Sequence, residues 1–171
     1  MNKKLSNLID KLLLKSDSII ALKAIEKLFN IGIPFNLPHK FKFIELTDKK
    51  TRLLLPYKRV NQNHLGGMHA CAIATLGEYP AGLALIKRFG SSKYRLIMSK
   101  LEGDYLKQGR ENLFGDVSID EDEFIRIENE LKSTDVSEIT ISTNILNMKE
   151  EVIAVIQTTW QLKNWNKVSF K

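Results

Sequence analysis

Residues 70–86, ACAIATLGEYPAGLALI, are almost all small or apolar, and Glu78 is the only carboxylate among them. A run of this composition predicts a helix that is buried on most of its surface. A carboxylate in such a place costs several kcal/mol to ionise unless something compensates it. Glu78 is therefore expected to be either a structurally paired charge or a catalytic group.

The segment before this run, residues 61–69 with the sequence NQNHLGGMH, predicts a polar loop that leads into the helix. The first backbone N–H groups of a helix have no partner within it and carry partial positive charge. They can donate to an oxyanion or to a polarised carbonyl, and Gly66 and Gly67 allow a ligand to approach the backbone. The loop therefore predicts a binding site at the start of the helix.

Eight residues separate Ala70, at the start of this helix, from Glu78, which corresponds to about 12 Å along the axis. One carbonyl group cannot contact both positions in the same chain. Two antiparallel helices related by a two-fold axis would place the start of one helix opposite the middle of the other. Chemistry that uses both positions therefore requires a second chain, with Asn63 and the Ala70 N–H from one subunit and Glu78 from its partner.

The flanking sequence predicts the elements that must position these groups. Residues 4–29 carry an apolar stripe at helical spacing, which residues 16–18 divide into two helices, and they form an N-terminal helical extension over residues 1–38. Residues 39–171 form the main domain. Its predicted strands are residues 41–46, 52–60, 94–105 (with a bulge at Gly103), 113–119, 138–146 and 152–162, with an acidic helix at residues 120–132.

The short connections between these strands favour antiparallel pairing. A helix that is apolar on all sides needs a structure that wraps it. The expected fold class is α+β, with a curved antiparallel sheet of five to six strands around one long central helix.

Composition narrows the classes of function. A single cysteine, Cys71, which we expect in the core, excludes an intrachain disulfide and a cysteine-based zinc site, so a reducing, cytoplasmic location is expected. The net charge of +6, from 26 basic and 20 acidic residues, is spread along the chain and argues against nucleic-acid binding. No membrane span is expected, because the apolar run is short and contains Glu78 and Pro80. No metal site is expected either, because His64 and His69 lie in a loop without a fixed helical pairing.

The spacing of Asn63, His69 and Glu78 resembles that of the hotdog-fold acyl-CoA thioesterases of the phenylacetyl-CoA thioesterase type. Those enzymes carry an Asn, then the His of a His-Gly-Gly at the helix start six residues later, then an acidic residue nine residues further on. The same intervals occur here. The resemblance covers roughly residues 40–165, and it is closest to a poorly characterised subfamily with an N-terminal helical extension. It includes the Asp-Tyr-Leu element at residues 104–106 and Thr-Trp at residues 159–160.

This resemblance implies a hotdog fold and hydrolysis of an acyl-CoA thioester, by a homodimer or homotetramer. Glu78 would be the general base or nucleophile, with Asn63 orienting the water or the thioester and His69 completing the catalytic set. The backbone at Gly67 and Ala70 would polarise the thioester carbonyl.

Coenzyme A is expected as part of the substrate, and no separate cofactor is expected. Three basic side chains would contact the phosphate groups of coenzyme A, namely Lys100, Lys107 and Arg110. Met68 would line the pocket for the acyl group.

Two departures from the family pattern support a second interpretation. The Gly-Gly after the helix-start His is replaced by Ala70 and Cys71, and Pro80 lies inside the helix next to Glu78. The alternative function is a non-catalytic hotdog module that binds acyl-CoA or an acyl carrier as a sensor or scaffold. A dehydratase is disfavoured, because no Pro-Gly pair occurs in the chain.

Overall fold

A computed structural model describes residues 3–168 of the chain, and the side chains of residues 6–168. Its helices are α1 (Lys3–Leu13), α2 (Ile19–Gly32), α3 (Ala70–Phe89) and α4 (Glu121–Thr134). Its strands are β1 (Lys42–Leu46), β2 (Thr51–Leu55), β3 (Tyr94–Tyr105), β4 (Leu113–Val117), β5 (Val136–Leu146) and β6 (Val152–Asn164).

The six strands form one curved sheet, and α3 packs against it. The strand order is β1-β2-β4-β5-β6-β3, and each neighbouring pair is antiparallel. Helix α3 contacts β2, β3, β4, β5 and β6, and its apolar side chains contribute to two clusters of buried residues. The structure confirms the predicted α+β architecture of a sheet wrapped around one long helix.

Two glycines allow α3 to approach the sheet closely. A Cβ atom at Gly77 would overlap the side chain of Ile156 on β6, and one at Gly115 on β4 would lie 2.5 Å from the carbonyl oxygen of Leu76. The Ile156 side chain therefore packs directly on the helix backbone at Gly77, and the helix backbone at Leu76 packs directly on the strand backbone at Gly115. This close contact fixes the position of the neighbouring residue, Glu78.

Pro80 lies within α3 but does not end it, since the helix is continuous from Ala70 to Phe89. Pro80 has no N–H to donate to the carbonyl of Leu76. The next carbonyl, that of Gly77, accepts a hydrogen bond of 2.8 Å from the hydroxyl of Thr143, which is fully buried on β5. The sheet thus supplies a donor to the helix backbone close to the proline.

The N-terminal helices share the core of the main domain. Ile9 and Leu13 of α1 and Ile25 and Phe29 of α2 belong to the same buried cluster as residues of β1, β2 and α3. The extension therefore buries its apolar face directly against the sheet and the central helix.

Partly buried polar contacts hold the extension against the main domain. The Asp10 carboxylate accepts hydrogen bonds from the backbone N–H groups of Ser91, at 2.8 Å, and Ser92, at 3.1 Å, just after α3. The Lys87 ammonium, near the end of α3, donates to the Leu13 carbonyl at 3.1 Å and to the Ser16 hydroxyl at 3.0 Å. Charged groups therefore tie α1 to the end of the central helix.

Two details differ from the predicted strands. Strand β2 ends at Leu55 rather than at residue 60, because Pro56 has no N–H to continue the ladder. The bulge in β3 lies at Ser99, between Met98 and Lys100, whereas Gly103 pairs in register with Ile156. In the part of the chain that the structure describes, no helix is long and apolar enough to cross a membrane.

Candidate functional site

A pocket of about 330 Å³ opens at the start of α3. Its walls are the end of the loop, the first turn of α3 and residues 105–109. Four of the predicted site residues line it, namely Asn63, Met68, Ala70 and Lys107. We call it the loop pocket.

The side chain of Asn63 shapes the loop beside this pocket. Its carbonyl oxygen accepts hydrogen bonds from the N–H groups of Leu65, at 2.9 Å, and Gly67, at 3.1 Å. The Gly67 N–H is therefore already paired. The amide nitrogen of Asn63 has no acceptor among the described residues, so it remains a donor that a ligand could use.

His69 caps the N-terminus of α3. Its Nδ1 accepts a hydrogen bond of 3.1 Å from the N–H of Cys71, which places the ring proton on Nε2. The N–H of Ala70 has no acceptor within residues 3–168, whereas its carbonyl accepts from the Tyr105 hydroxyl at 3.2 Å. Cys71 is exposed, and the expectation that it lies in the core is wrong. The covering sheet packs against other faces of the helix.

The basic side chains that were expected to contact coenzyme A do not all lie together. Arg110 donates to the Gln108 side chain at 2.9 Å and to the Leu65 carbonyl at 3.4 Å, so it lies beside the loop pocket with Lys107. Lys100 pairs instead with Glu102, at 2.9 Å on the exposed strand β3. It lies five residues before Tyr105, about 17 Å along an extended strand.

Glu78 lies at a different pocket, of about 190 Å³, between α2, α3 and the sheet. We call it the Glu78 pocket. Its walls include Phe29, Ile33, Leu83 and Trp160. Within the described part of the chain, the Glu78 carboxylate makes no hydrogen bond or ion pair. Burial without compensation raises its pKa from the ordinary 4.5 to about 7.

Two further polar residues line the Glu78 pocket, Tyr79 and Asn36, and sequence reasoning missed Asn36. The Tyr79 hydroxyl and the side-chain carbonyl oxygen of Asn36 are buried, and neither makes a hydrogen bond within the described part of the chain. Burial raises the pKa of the Tyr79 hydroxyl, and the proximity of the Asn36 side chain opposes the rise. Asn36 lies in a connector between α2 and β1, and no spacing in the sequence relates it to α3.

The structure does not bring Glu78 and the loop pocket together within one chain. Glu78 and Ala70 stand eight residues apart on α3, about 12 Å along the axis. The less covered face of α3 carries Ala70, Cys71, Ala74 and Glu78, which are the helix residues before Pro80 that retain access to solvent. This face connects the two pockets along the surface of the helix.

Residues 22–162 match the family described as a domain of unknown function, DUF4442. The chain belongs to this family. The DUF4442 region begins inside α2 and ends in β6, so it includes most of the helix that lines the Glu78 pocket. No curated protein matches the chain.

Solved structures share the fold of this DUF4442 protein. PA5026 of Pseudomonas aeruginosa, a protein of unknown function and probable thioesterase, superposes with a TM-score of 0.75 at 22% identity, covering 81% of this chain and 93% of that one. The thioesterase SAV0944 of Staphylococcus aureus superposes with a TM-score of 0.63 at 15% identity, covering 76% and 98%. These likenesses confirm the hotdog fold.

The described residues contain no group of three or more His, Cys, Asp or Glu side chains that could hold a metal ion.

Proposed function

We propose that this protein hydrolyses an acyl thioester to a free acid and a thiol, with Glu78 as the general base or nucleophile. The observation that carries this proposal is the unpaired Glu78 carboxylate in an apolar pocket, with a pKa of about 7. A base with a pKa near the working pH is both deprotonated often enough and basic enough to accept a proton from water. The similar folds of SAV0944, a thioesterase, and PA5026, a probable thioesterase, support the same class of reaction.

As general base, Glu78 takes one proton from a water molecule while the water oxygen attacks the carbonyl carbon of the thioester. The C–S bond of the resulting tetrahedral intermediate then breaks, and the departing thiolate recovers the proton from Glu78. The negative charge that develops on the carbonyl oxygen needs a donor. The Ala70 N–H at the positive end of the α3 dipole supplies it, and the Asn63 amide orients the water or the thioester.

The 12 Å between Ala70 and Glu78 means that these groups must come from two subunits. Strand β3 stands at one end of the sheet and is exposed over most of its length, so its outer edge can pair with a second copy. The adjacent uncovered face of α3 bears only small residues and Glu78. A homodimer in which two α3 helices lie antiparallel would bring the loop pocket of one subunit to the Glu78 pocket of the other.

The thiol portion of the substrate would lie at the loop pocket. Lys107 and Arg110 lie beside this pocket and can contact the phosphate groups of coenzyme A, which is strongly anionic.

Subunit complementation tests the shared site. Asn63→Asp keeps the oxygen that accepts from Leu65 and Gly67 but removes the amide donor, whereas Glu78→Gln removes the base. Each variant alone should release little thiol from decanoyl-CoA. When the two are unfolded and refolded together, each mixed dimer regains one intact site, so about a quarter of the activity of the unsubstituted protein should return. Refolding each variant alone is the control, and no recovery in the mixture would contradict a shared site.

One observation favours the alternative, a non-catalytic module that binds acyl-CoA or an acyl carrier. The Nδ1 atom of His69 and the side-chain carbonyl oxygen of Asn63 both accept hydrogen bonds from the local backbone, so neither of these two acceptors is available to a substrate or to water. Tight binding of decanoyl-CoA by the unsubstituted dimer, without release of thiol, would support this function instead.

A further inference from the structure

A second apolar cavity, of about 240 Å³, adjoins the Glu78 pocket. The two share the side chains of Phe29, Ile33 and Ile86, so they lie next to each other between α2 and α3. We call the two together the extension chamber, because α2 of the N-terminal extension forms one of its walls. The second cavity lies outside the loop pocket and contributes no group to the proton transfer.

We propose that the extension chamber holds the hydrocarbon chain of the acyl group, and that the N-terminal extension thereby sets the preferred chain length. This inference rests on the proposed function, since it assumes that the substrate is an acyl thioester with its carbonyl at Glu78. The distribution of polar groups in the chamber supports it. The Glu78 carboxylate, which has no partner among the described residues, lies at one end, with the Tyr79 and Asn36 side chains beside it.

Beyond that end the chamber is lined by aliphatic and aromatic side chains. The polar side chain at the far end, that of Ser91, already donates to Asp10 at 2.9 Å. A ligand that matches this arrangement has one polar group at one end and a flexible apolar tail. A coenzyme A moiety or a second polar molecule would leave its polar groups unpaired in the aliphatic part.

The length of the chamber indicates a medium chain. Glu78, Gly82 and Ile86 follow one another at intervals of four residues on one face of α3 and line the chamber. They span about 12 Å along the helix axis. An extended chain advances about 1.2 Å per bond, so about ten carbons cover this distance.

Gly32, the last residue of α2, provides a clean test at the far end. It lines the chamber, it is exposed, and a Cβ atom added there would have no neighbour within 4 Å. A larger side chain at this position therefore has room without displacing the surrounding residues, and from the chamber wall it can narrow the far end. Ile31, its neighbour in α2, is 60% exposed and outside the chamber, which makes Ile31→Ala a matched control.

The experiment measures equilibrium binding of acetyl-, hexanoyl-, decanoyl- and palmitoyl-CoA by the full chain carrying Glu78→Gln, in which the thioester stays intact. Affinity should rise about fourfold per buried methylene up to about ten carbons and then level off. Adding Gly32→Leu should lower decanoyl-CoA affinity about tenfold and leave hexanoyl-CoA affinity unchanged. Ile31→Ala should change neither.

The outcomes separate this inference from the proposed function. Affinity that does not depend on chain length, or a Gly32→Leu variant that binds decanoyl-CoA as before, would overturn the chamber assignment even if the unsubstituted protein releases thiol. The predicted chain-length series without any release of thiol would support the chamber and reject hydrolysis. Because the series itself needs no substitution at Gly32, affinity that does not level off near ten carbons would still overturn the inference if that variant does not fold.

Discussion

Replacing Glu78 by Gln is expected to make the protein more stable while it abolishes activity. The neutral amide has nearly the size of the carboxyl group and carries no charge into the apolar pocket. In the folded chain the pKa of Glu78 is about 7, compared with an ordinary value of 4.5. Below pH 4.5 the carboxyl group is protonated in both the folded and the unfolded state, so the ionisation of Glu78 has no effect on stability there.

Between pH 4.5 and pH 7 the unfolded chain releases this proton while the folded chain keeps it. The free energy of unfolding therefore falls across this window, and above pH 7 the full loss is present. The difference between the two pKa values corresponds to about 3 kcal/mol. At pH 8 the Glu78→Gln variant should thus be more stable than the unsubstituted protein by up to this amount, and at pH 4 the two should be equal.

Urea unfolding at pH 4 and pH 8 measures this difference, and thermal unfolding should show a melting temperature higher by about 10 °C at pH 8. Glu26→Gln is the matched control, because the Glu26 carboxylate accepts a hydrogen bond of 2.8 Å from the Phe43 N–H and pairs with Lys23. That variant should lose stability. If Glu78→Gln is also less stable at pH 8 and still hydrolyses thioesters, then Glu78 is a paired structural charge and not the base of the reaction.

Two further predictions concern pH and the extension. The value of kcat/KM for decanoyl-CoA should rise with pH through a midpoint near 7, because Glu78 must lose its proton to act as a base, and a flat profile between pH 5.5 and pH 8.5 would contradict this role. Asp10→Asn should destabilise the protein by about 2 kcal/mol in urea unfolding, because Ser91 and Ser92 lose a charged acceptor. Burial raises the pKa of Asp10, but the hydrogen bonds from Ser91 and Ser92 outweigh burial, so the pKa lies below its ordinary value. The stability that the Asp10 carboxylate supplies should therefore be lost as the pH falls through this lowered pKa.

Much of the fold could be predicted because its elements have strong local patterns. Residues 4–29 have a continuous helical stripe with a polar break at residues 16–18, and the structure contains two helices there. The alternating residues of β3 and the final hairpin likewise predict strands whose bounds agree within two residues. The burial of Glu78 could also be predicted, because its neighbours in sequence are all small or apolar.

The sequence could not predict which face of α3 the sheet leaves uncovered. The helix is apolar all round, so no polar stripe shows which face the sheet leaves open. The exposure of Cys71 follows from how the sheet wraps the helix, which depends on contacts between distant residues such as Gly77 and Ile156. For the same reason the sequence did not associate Asn36 with Glu78, although both line one pocket.

The two proposals together explain why an unpaired carboxylate occurs at residue 78 and not elsewhere on α3. One side of Glu78 faces the extension chamber of its own subunit, where an apolar chain can end. The other side lies on the uncovered face of the helix, where the start of a second α3 would bring the Ala70 N–H and Asn63. A thioester whose tail lies in one subunit and whose thiol portion lies on the other has its carbonyl carbon at Glu78. A cation that paired with Glu78 would lower the cost of burying it, but it would also lower its pKa and weaken it as a base near neutral pH.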